Sequence, residues 1–181
     1  ECTFNKVDIS SMPMFDVEYI FLQIRSKSVG EVSKLKLLCP DDEKTYADVE
    51  LDLNEVKVQV GDNHTNKIAL GNGMGMIMKY PTIDSFSETG IKDINPGNML
   101  EVISTCILQI YEEEGKKVYD TKDQTKKEVT DWIEQLNTKQ FKDVQNFFET
   151  MPKLKHEITI KNPKTKKESK ITLNGLNDFF G

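Results

Sequence analysis

The amino-acid sequence predicts an α+β protein, with a helical core and antiparallel β-hairpins. Apolar residues recur with helical spacing in four segments, and short alternating segments bounded by proline or glycine turns mark strands. Two of the hairpins share a turn that resembles a zinc-ribbon knuckle lacking its metal ligands. We expect a single domain over residues 1–181, with a β-rich part at 31–80, a helical part at 95–151, and a C-terminal hairpin and aromatic tail at 152–181.

The first predicted helix carries one apolar stripe. Its members follow the i, i+3, i+4, i+7 spacing and are Val17, Ile20, Phe21 and Ile24. Asp16 is expected to cap the start of this helix, and Gly30 to supply the left-handed residue that ends it.

The second predicted helix begins at Asn95-Pro96, because proline is favoured at the first helical position. Its wide apolar stripe consists of Met99, Val102, Ile103, Cys106, Ile107 and Ile110. We therefore expect it to be the central helix of the core.

Capping signals mark the next two helices. Thr125 and Glu128 have the spacing of a capping box, and a fourth helix starts near Thr138 and stops before Pro152. The two apolar stripes consist of Val129, Trp132, Ile133, Leu136, Phe141, Val144, Phe147, Phe148 and Met151.

Strand signals lie between and after the helices. Residues 31–39 and 46–53 alternate around a Pro-Asp-Asp turn, and alternating valines at 56–60 predict a further strand. Residues 68–80 predict a hairpin around glycines, and residues 156–173 a hairpin around Asn-Pro-Lys. These segments predict antiparallel ribbons.

Two of these hairpins look like copies of one design. Each turn follows a residue and a proline, with Cys39 before the first proline and Asn162 before the second. A zinc ribbon needs Cys-x-x-Cys at each turn, whereas the fourth positions here are Asp42 and Thr165. We therefore predict two metal-free knuckles that are held by packing, and no metal site.

Catalytic and cofactor motifs are weak. The Gly-Asn-Gly-Met-Gly run at 71–75 resembles a phosphate loop, but a strand pattern follows it, so a hairpin turn is favoured. His64 and His156 have no nucleophile or metal ligand at a suitable spacing. We expect a protein that is not an enzyme and needs no cofactor, although spatial neighbours are not visible in a sequence.

Composition restricts the partners. The net charge of −6 argues against a general nucleic-acid binder, which needs a basic surface. No apolar run has the length of about 18 to 20 residues that spans a bilayer, so no membrane partner is expected. The three cysteines rule out a disulfide scaffold and fit a reducing compartment. The chain begins at Glu1, and we expect an N-terminal segment to be missing.

Charge is unevenly distributed along the chain. Residues 40–62 hold eight acids and two lysines, whereas residues 151–173 hold seven lysines and two acids. The two segments attract each other or different partners, or they are simply solvated faces. A nucleic-acid-binding or regulatory module that uses the basic hairpin at 153–170 is the alternative function. Its lysines lack the interleaved aromatic residues that single-strand binding needs.

Several residues are candidates for partner binding. The lysines of the basic turn, Lys164, Lys166 and Lys167, form one group, and the methionines Met74, Met76 and Met78 form another on one strand face. For the methionines, gap-filling in the core is the alternative. Arg25, the only arginine, is expected to form a structural or interface ion pair. Phe179 and Phe180 point in different directions on a short helix, so one packs on the domain while the other anchors a partner, or both fold inward.

Four segments resemble the T-even-type bacteriophage baseplate protein family. The most specific is the run Phe-Asp-Val-Glu-Tyr-Ile-Phe-Leu-Gln-Ile-Arg-Ser-Lys-Ser-Val-Gly-Glu at 15–31. The others are Lys-Tyr-Pro at 79–81, Phe-Phe-Glu-Thr-Met-Pro-Lys-Leu at 147–154 and Gly-Leu-Asn-Asp-Phe-Phe at 175–180. The resemblance covers nearly the whole chain.

The resemblance implies a phage tail protein that is needed to build the central hub of the baseplate. Its partners would be other baseplate hub or tail proteins. It would act in the bacterial host cytoplasm during phage assembly, and either stay in the virion tail or leave as an assembly chaperone.

Overall fold

Short helices and antiparallel strands alternate along the chain in a computed structural model that describes residues 8–89, 97–112 and 116–180. The helices are α1 (Met14–Val29), α2 (Ile83–Thr89), α3 (Met99–Cys106), α4 (Lys126–Ile133), α5 (Thr138–Thr150) and α6 (Gly175–Phe180). The strands are β1 (Val32–Leu38), β2 (Tyr46–Asp52), β3 (Lys57–Gln59), β4 (Lys67–Gly71), β5 (Met74–Met78), β6 (Ile107–Glu112), β7 (Lys117–Asp120), β8 (Lys153–Lys161) and β9 (Glu168–Asn174). The predicted α+β class is confirmed.

The described chain forms two compact units. The first unit joins residues 15–60 with residues 152–180, and the second contains residues 8–14 and 61–151. The single-domain organisation expected from the sequence stays a prediction.

In the first unit, the two predicted hairpins are confirmed, whereas their likeness to zinc-ribbon knuckles stays a prediction. Strands β1 and β2 form one antiparallel pair, and β3, β8 and β9 form a three-stranded sheet in that order. The core of this unit is shared by both sheets with α1 and α6. Its buried members are Leu22, Leu35, Leu51, Leu53, Val56, Leu154, Leu173 and Phe179. A smaller cluster of Cys39, Ala47 and Ile160 packs nearer the hairpin turns.

The second unit contains a four-stranded antiparallel sheet in the order β4-β5-β6-β7. Its buried core combines residues of β4, β5 and β6 with residues of α3, α4 and α5. The hairpin expected around the glycines is confirmed as β4 and β5. Gly71, Asn72 and Gly73 all have positive φ angles at its turn, a conformation that favours glycine and asparagine.

The second predicted helix is wrong in its extent. Its expected start at Asn95-Pro96 lies outside the described residues, and α3 ends at Cys106. Residues 107–112 form β6, a central strand between β5 and β7. Ile107 and Ile110 are buried there, and the sheet supplies the hydrogen bonds that a helix would otherwise make.

The capping predictions differ in outcome. The Thr125–Glu128 capping box of α4 is confirmed, and α5 begins at the predicted Thr138. Gly30 follows α1 with a φ of 137°, as expected for a residue that ends a helix. Asp16 lies in the first turn of α1 and does not precede it, because the helix starts at Met14.

Candidate partner-binding site

Helix α1 presents an aromatic and a cationic side chain on one face. Phe21 and Arg25 are one helical turn apart, so their side chains are neighbours. The buried residues of α1 are Leu22, which follows Phe21, and Ser26, which follows Arg25. Phe21 is therefore 52% exposed, and its predicted place in the apolar core stripe is wrong.

Helix α6 brings Phe180 to the same surface. Gly175 starts the helix with a φ of 68°, and the Asp178 carboxylate accepts a hydrogen bond from the Asn174 N–H at 2.7 Å. Phe179 is fully buried, and its carbonyl oxygen accepts a hydrogen bond from the Ser33 hydroxyl at 2.7 Å. Phe180, the next residue, is half-buried near the surface.

Arg25, Phe21 and Phe180 form one cluster. The rings of Phe21 and Phe180 meet edge to face with centroids 6.0 Å apart. The Arg25 guanidinium carbon lies 5.7 Å from the Phe180 ring centroid, within range of a cation–π contact. The cluster borders a surface cavity of about 550 Å³, which we call the Arg25 pocket. The pocket is lined by Phe21, Arg25, Val32, Ser33, Lys34 and Phe180.

The guanidinium of Arg25 makes no structural ion pair within the described residues, so the interface ion pair, the other expectation from the sequence, stays a prediction. Among the described residues no carboxylate oxygen lies within 4 Å of it, and its buried Nη1 has no hydrogen-bond acceptor. A buried donor without an acceptor is uncommon in folded proteins. The half-buried Arg25 thus has an unused donor beside an aromatic ring.

The other predicted partner residues differ in their exposure. Phe179 is buried in the core, so its assignment as an exposed anchor is corrected, whereas Phe180 remains at the surface. Met76 and Met78 are buried in the second unit, 0% and 1% exposed, so the gap-filling alternative describes them and their assignment to a partner surface is corrected. Met74 is half-buried at the edge of the same core.

The turns of the two knuckle hairpins are joined by hydrogen bonds. The Asp41 carboxylate accepts a hydrogen bond from the Asn162 amide nitrogen at 2.9 Å and another from the Thr165 hydroxyl. The amide oxygen of Asn162 accepts the N–H groups of Lys164 at 2.8 Å and Thr165 at 3.2 Å. We call Asp41, Asn162 and Thr165 the tip junction. Its two hydrogen bonds hold the pKa of Asp41 below its ordinary value.

The first turn also has internal hydrogen bonds. The Asp42 carboxylate accepts from the Thr45 hydroxyl at 2.6 Å and from the Thr45 N–H at 3.0 Å, and these bonds strongly lower the pKa of Asp42. The fifth residue of each turn, Glu43 or Lys166, has a positive φ. Asp42 therefore stabilises its own turn, while Asp41 reaches the other one.

The basic turn presents exposed lysines beside an acidic turn. Lys164, Lys166 and Lys167 are exposed, and the Lys166 ammonium donates a hydrogen bond to the Pro163 carbonyl oxygen at 2.7 Å. Because Asp41 contacts this turn directly, the local charge is mixed. Nothing in this arrangement favours the nucleic-acid alternative.

His64 is part of an aromatic cluster in the second unit. Its Nδ1 lies 3.0 Å from the Thr150 hydroxyl and its Nε2 lies 3.0 Å from the Tyr80 hydroxyl. The ring stacks on Tyr80 with centroids 5.7 Å apart and packs at a tilt against Phe147 with centroids 5.3 Å apart. Burial lowers the pKa of His64. The Thr150 hydroxyl donates to the Asn146 carbonyl oxygen, so it accepts from His64. Because burial disfavours the charged form, the His64 ring acts here as a packing element.

The described residues contain neither a cluster of metal ligands nor a membrane-spanning helix. Within residues 8–89, 97–112 and 116–180, no three His, Cys, Asp or Glu side chains are grouped as metal ligands would be. None of the helices in these ranges combines the length and apolar character of a membrane span.

The fold and its surfaces define an α+β protein that presents an aromatic and cationic pocket on one unit. Residues 1–181, the whole chain, match the family model described as T4 bacteriophage base plate protein. The chain therefore belongs to this family of phage baseplate proteins, as its sequence resemblance predicts. No curated protein matches the chain. No solved structure matches it either.

Proposed function

We propose that this protein helps to build the central hub of the phage baseplate by binding other hub or tail proteins, without catalysing a reaction. Membership of the baseplate family supports a role in this part of the tail. It acts in the host cytoplasm while the baseplate is assembled.

The observation that carries the proposal is the apolar surface of the first unit. Phe21 and Val32 are 52% and 51% exposed. Grouped exposed apolar side chains are typical of protein-binding surfaces, whereas single ones are common everywhere. Phe21 and Val32 share the Arg25 pocket, so they form such a group. A few aromatic anchors supply most of the energy of an interface, and surrounding charges steer the encounter.

Deletion of the gene from the phage tests this proposal. We expect infected cells to accumulate tail parts without a completed baseplate hub, and plasmid expression of this chain to restore the hub. Completed hubs in the absence of the chain would contradict the proposal. Turnover of a substrate by the purified chain would contradict its non-catalytic part.

Mass spectrometry of purified mature tails decides between two modes of action. Presence of the chain in stoichiometric amount indicates a structural subunit of the baseplate. Its absence from tails that needed it for assembly indicates a chaperone that leaves.

A further inference from the structure

We propose that the Arg25 pocket binds an acidic residue of a partner protein, flanked in that partner by apolar side chains. This inference rests on the proposed function and specifies the chemistry of one of its contacts. The carboxylate would lie against the Arg25 guanidinium, and the apolar neighbours would cover Phe21 and Val32.

The first argument is the unused hydrogen-bonding capacity of Arg25. A guanidinium has five N–H donors in a planar fork that matches a carboxylate. Here Nη1 is buried without an acceptor, and no carboxylate of the described chain lies within 4 Å of the group. An incoming carboxylate would provide the acceptor that the described residues do not.

The second argument is the charge at the rim of the pocket. Lys34 also lines it, and its ammonium is 3.6 Å from the Glu50 carboxylate with both side chains largely exposed. Such exposed pairs are weak, so Lys34 remains available to attract a second negative charge. The two cations that line this cavity are complementary to an acidic residue of the partner.

The third argument excludes a free anion or a nucleic acid as the better occupant. Phe21 and Val32 are each about half exposed at the pocket, and a phosphate would leave both uncovered. The chain has a net charge of −6, which repels a polyanion over longer distances. A single carboxylate between apolar side chains would bind the Arg25 guanidinium and would also cover Phe21 and Val32.

The arrangement of α6 makes the pocket a defined feature of the fold. Phe179, the residue before Phe180, is fully buried, and the Ser33 hydroxyl donates a hydrogen bond to its carbonyl oxygen. Phe180 is thereby held beside Arg25, so the aromatic wall exists before any partner arrives. A preformed wall lowers the ordering cost of binding.

Selection of random peptides on the purified chain, displayed on ribosomes, tests the proposal. We expect selected peptides to share an Asp or Glu between apolar residues. In fluorescence anisotropy, Arg25→Met and Phe21→Ala should each weaken the binding of such a peptide by about tenfold or more, as for anchors at an interface. Replacement of the peptide's acid by its amide should have a similar effect.

Tyr46→Ala is the matched control, because Tyr46 is an equally exposed aromatic residue of the first unit that does not line the pocket. It should change the affinity less than about twofold. If Arg25→Met does not fold, Phe21→Ala and the amide peptide still provide the comparison. Peptides without acids, or binding that is indifferent to Arg25 and Phe21, would overturn the proposal.

Phage assembly separates this inference from the proposed function. A phage that encodes Phe21→Ala and Arg25→Met should yield fewer completed hubs. If it assembles normally while the gene deletion does not, the pocket assignment is wrong and the assembly role stands.

Discussion

Replacement of Asn162 by alanine should loosen the junction between the two hairpin turns. Asn162 is 1% exposed and its side chain makes three hydrogen bonds, two to backbone N–H groups of its own turn and one to Asp41. Each such bond contributes about 1 kcal/mol net, so the expected loss in the free energy of unfolding is about 2 to 3 kcal/mol. The lower end applies if water reaches the freed N–H groups.

Urea denaturation followed by circular dichroism measures this loss. Asn174→Ala is the control, because Asn174 is an exposed asparagine of β9 whose side chain makes one long hydrogen bond, of 3.3 Å, to the Thr172 carbonyl oxygen, and alanine keeps its backbone N–H bond to Asp178. Its effect should stay within about 0.5 kcal/mol, as is usual for surface positions. Equal unfolding free energies for Asn162→Ala and the wild type would refute the junction.

Asn162→Asp adds a test in which the sign of the pH dependence is informative. The new carboxylate still accepts the backbone N–H groups but faces the Asp41 carboxylate in place of an N–H donor. Two adjacent carboxylates raise the pKa of one of them in the folded state. The variant should therefore lose stability relative to wild type as pH rises from acid to neutral, and a constant difference would contradict the geometry.

Three further outcomes are expected. Gly75→Ala should lower the free energy of unfolding by about 2 kcal/mol or more in urea titrations, because its Cβ would lie 2.8 Å from the Ile68 carbonyl oxygen in the buried sheet. Burial lowers the pKa of His64, so the folded state favours the neutral form, and stability should fall as the pH drops below the ordinary pKa of histidine. Melting temperatures measured from pH 8 to 5 should show a smaller fall for His64→Gln than for the wild type. Burial raises the pKa of the Cys106 thiol to about 11, so iodoacetamide should label this cysteine only after unfolding, as peptide mapping would show.

Local sequence signals predicted the elements that have their own stop and start residues. The capping box at Thr125 and the glycine turn at 71–75 specify backbone conformations within a few residues, so they can be identified without tertiary information. The knuckle hairpins were predicted for the same reason. Their alternating strands and X-Pro turns are local features.

The errors arise where two structures share one pattern. The apolar stripe predicted for one helix is divided between α3 and β6. Its residues Val102, Ile103 and Cys106 are buried in α3, whereas Ile107 and Ile110 are buried residues of strand β6. A short apolar run is compatible with both a helix and a strand, so its sequence does not distinguish them. Residues 107–112 form a strand because they pair with β5 on one side and with β7 on the other.

The candidate site was predicted in pieces and not as a site. The sequence indicates Arg25 because it is the only arginine, and Phe180 because it belongs to the aromatic tail. The apolar stripe, in contrast, assigns Phe21 to the core, although Phe21 is exposed. Their contact joins the first helix to the last one, and no pattern within a short window encodes such a distant pairing. The same holds for the hydrogen bond from Asn162 to Asp41.

The tip junction links the two hairpin turns through the chain's own side chains. In a zinc ribbon, four ligands from two turns are joined through the metal, which contributes directly to folding. Here the side-chain amide of Asn162 both closes one turn and links it to the other. Its oxygen accepts a backbone N–H of its own turn, and its nitrogen donates to the Asp41 carboxylate of the other turn. Cys39, at the matching place in the first turn, is buried among apolar side chains and adds packing. The turns are thus linked by hydrogen bonds to a carboxylate, and because these bonds lower the pKa of Asp41, the link weakens only when the pH falls below the ordinary aspartate value.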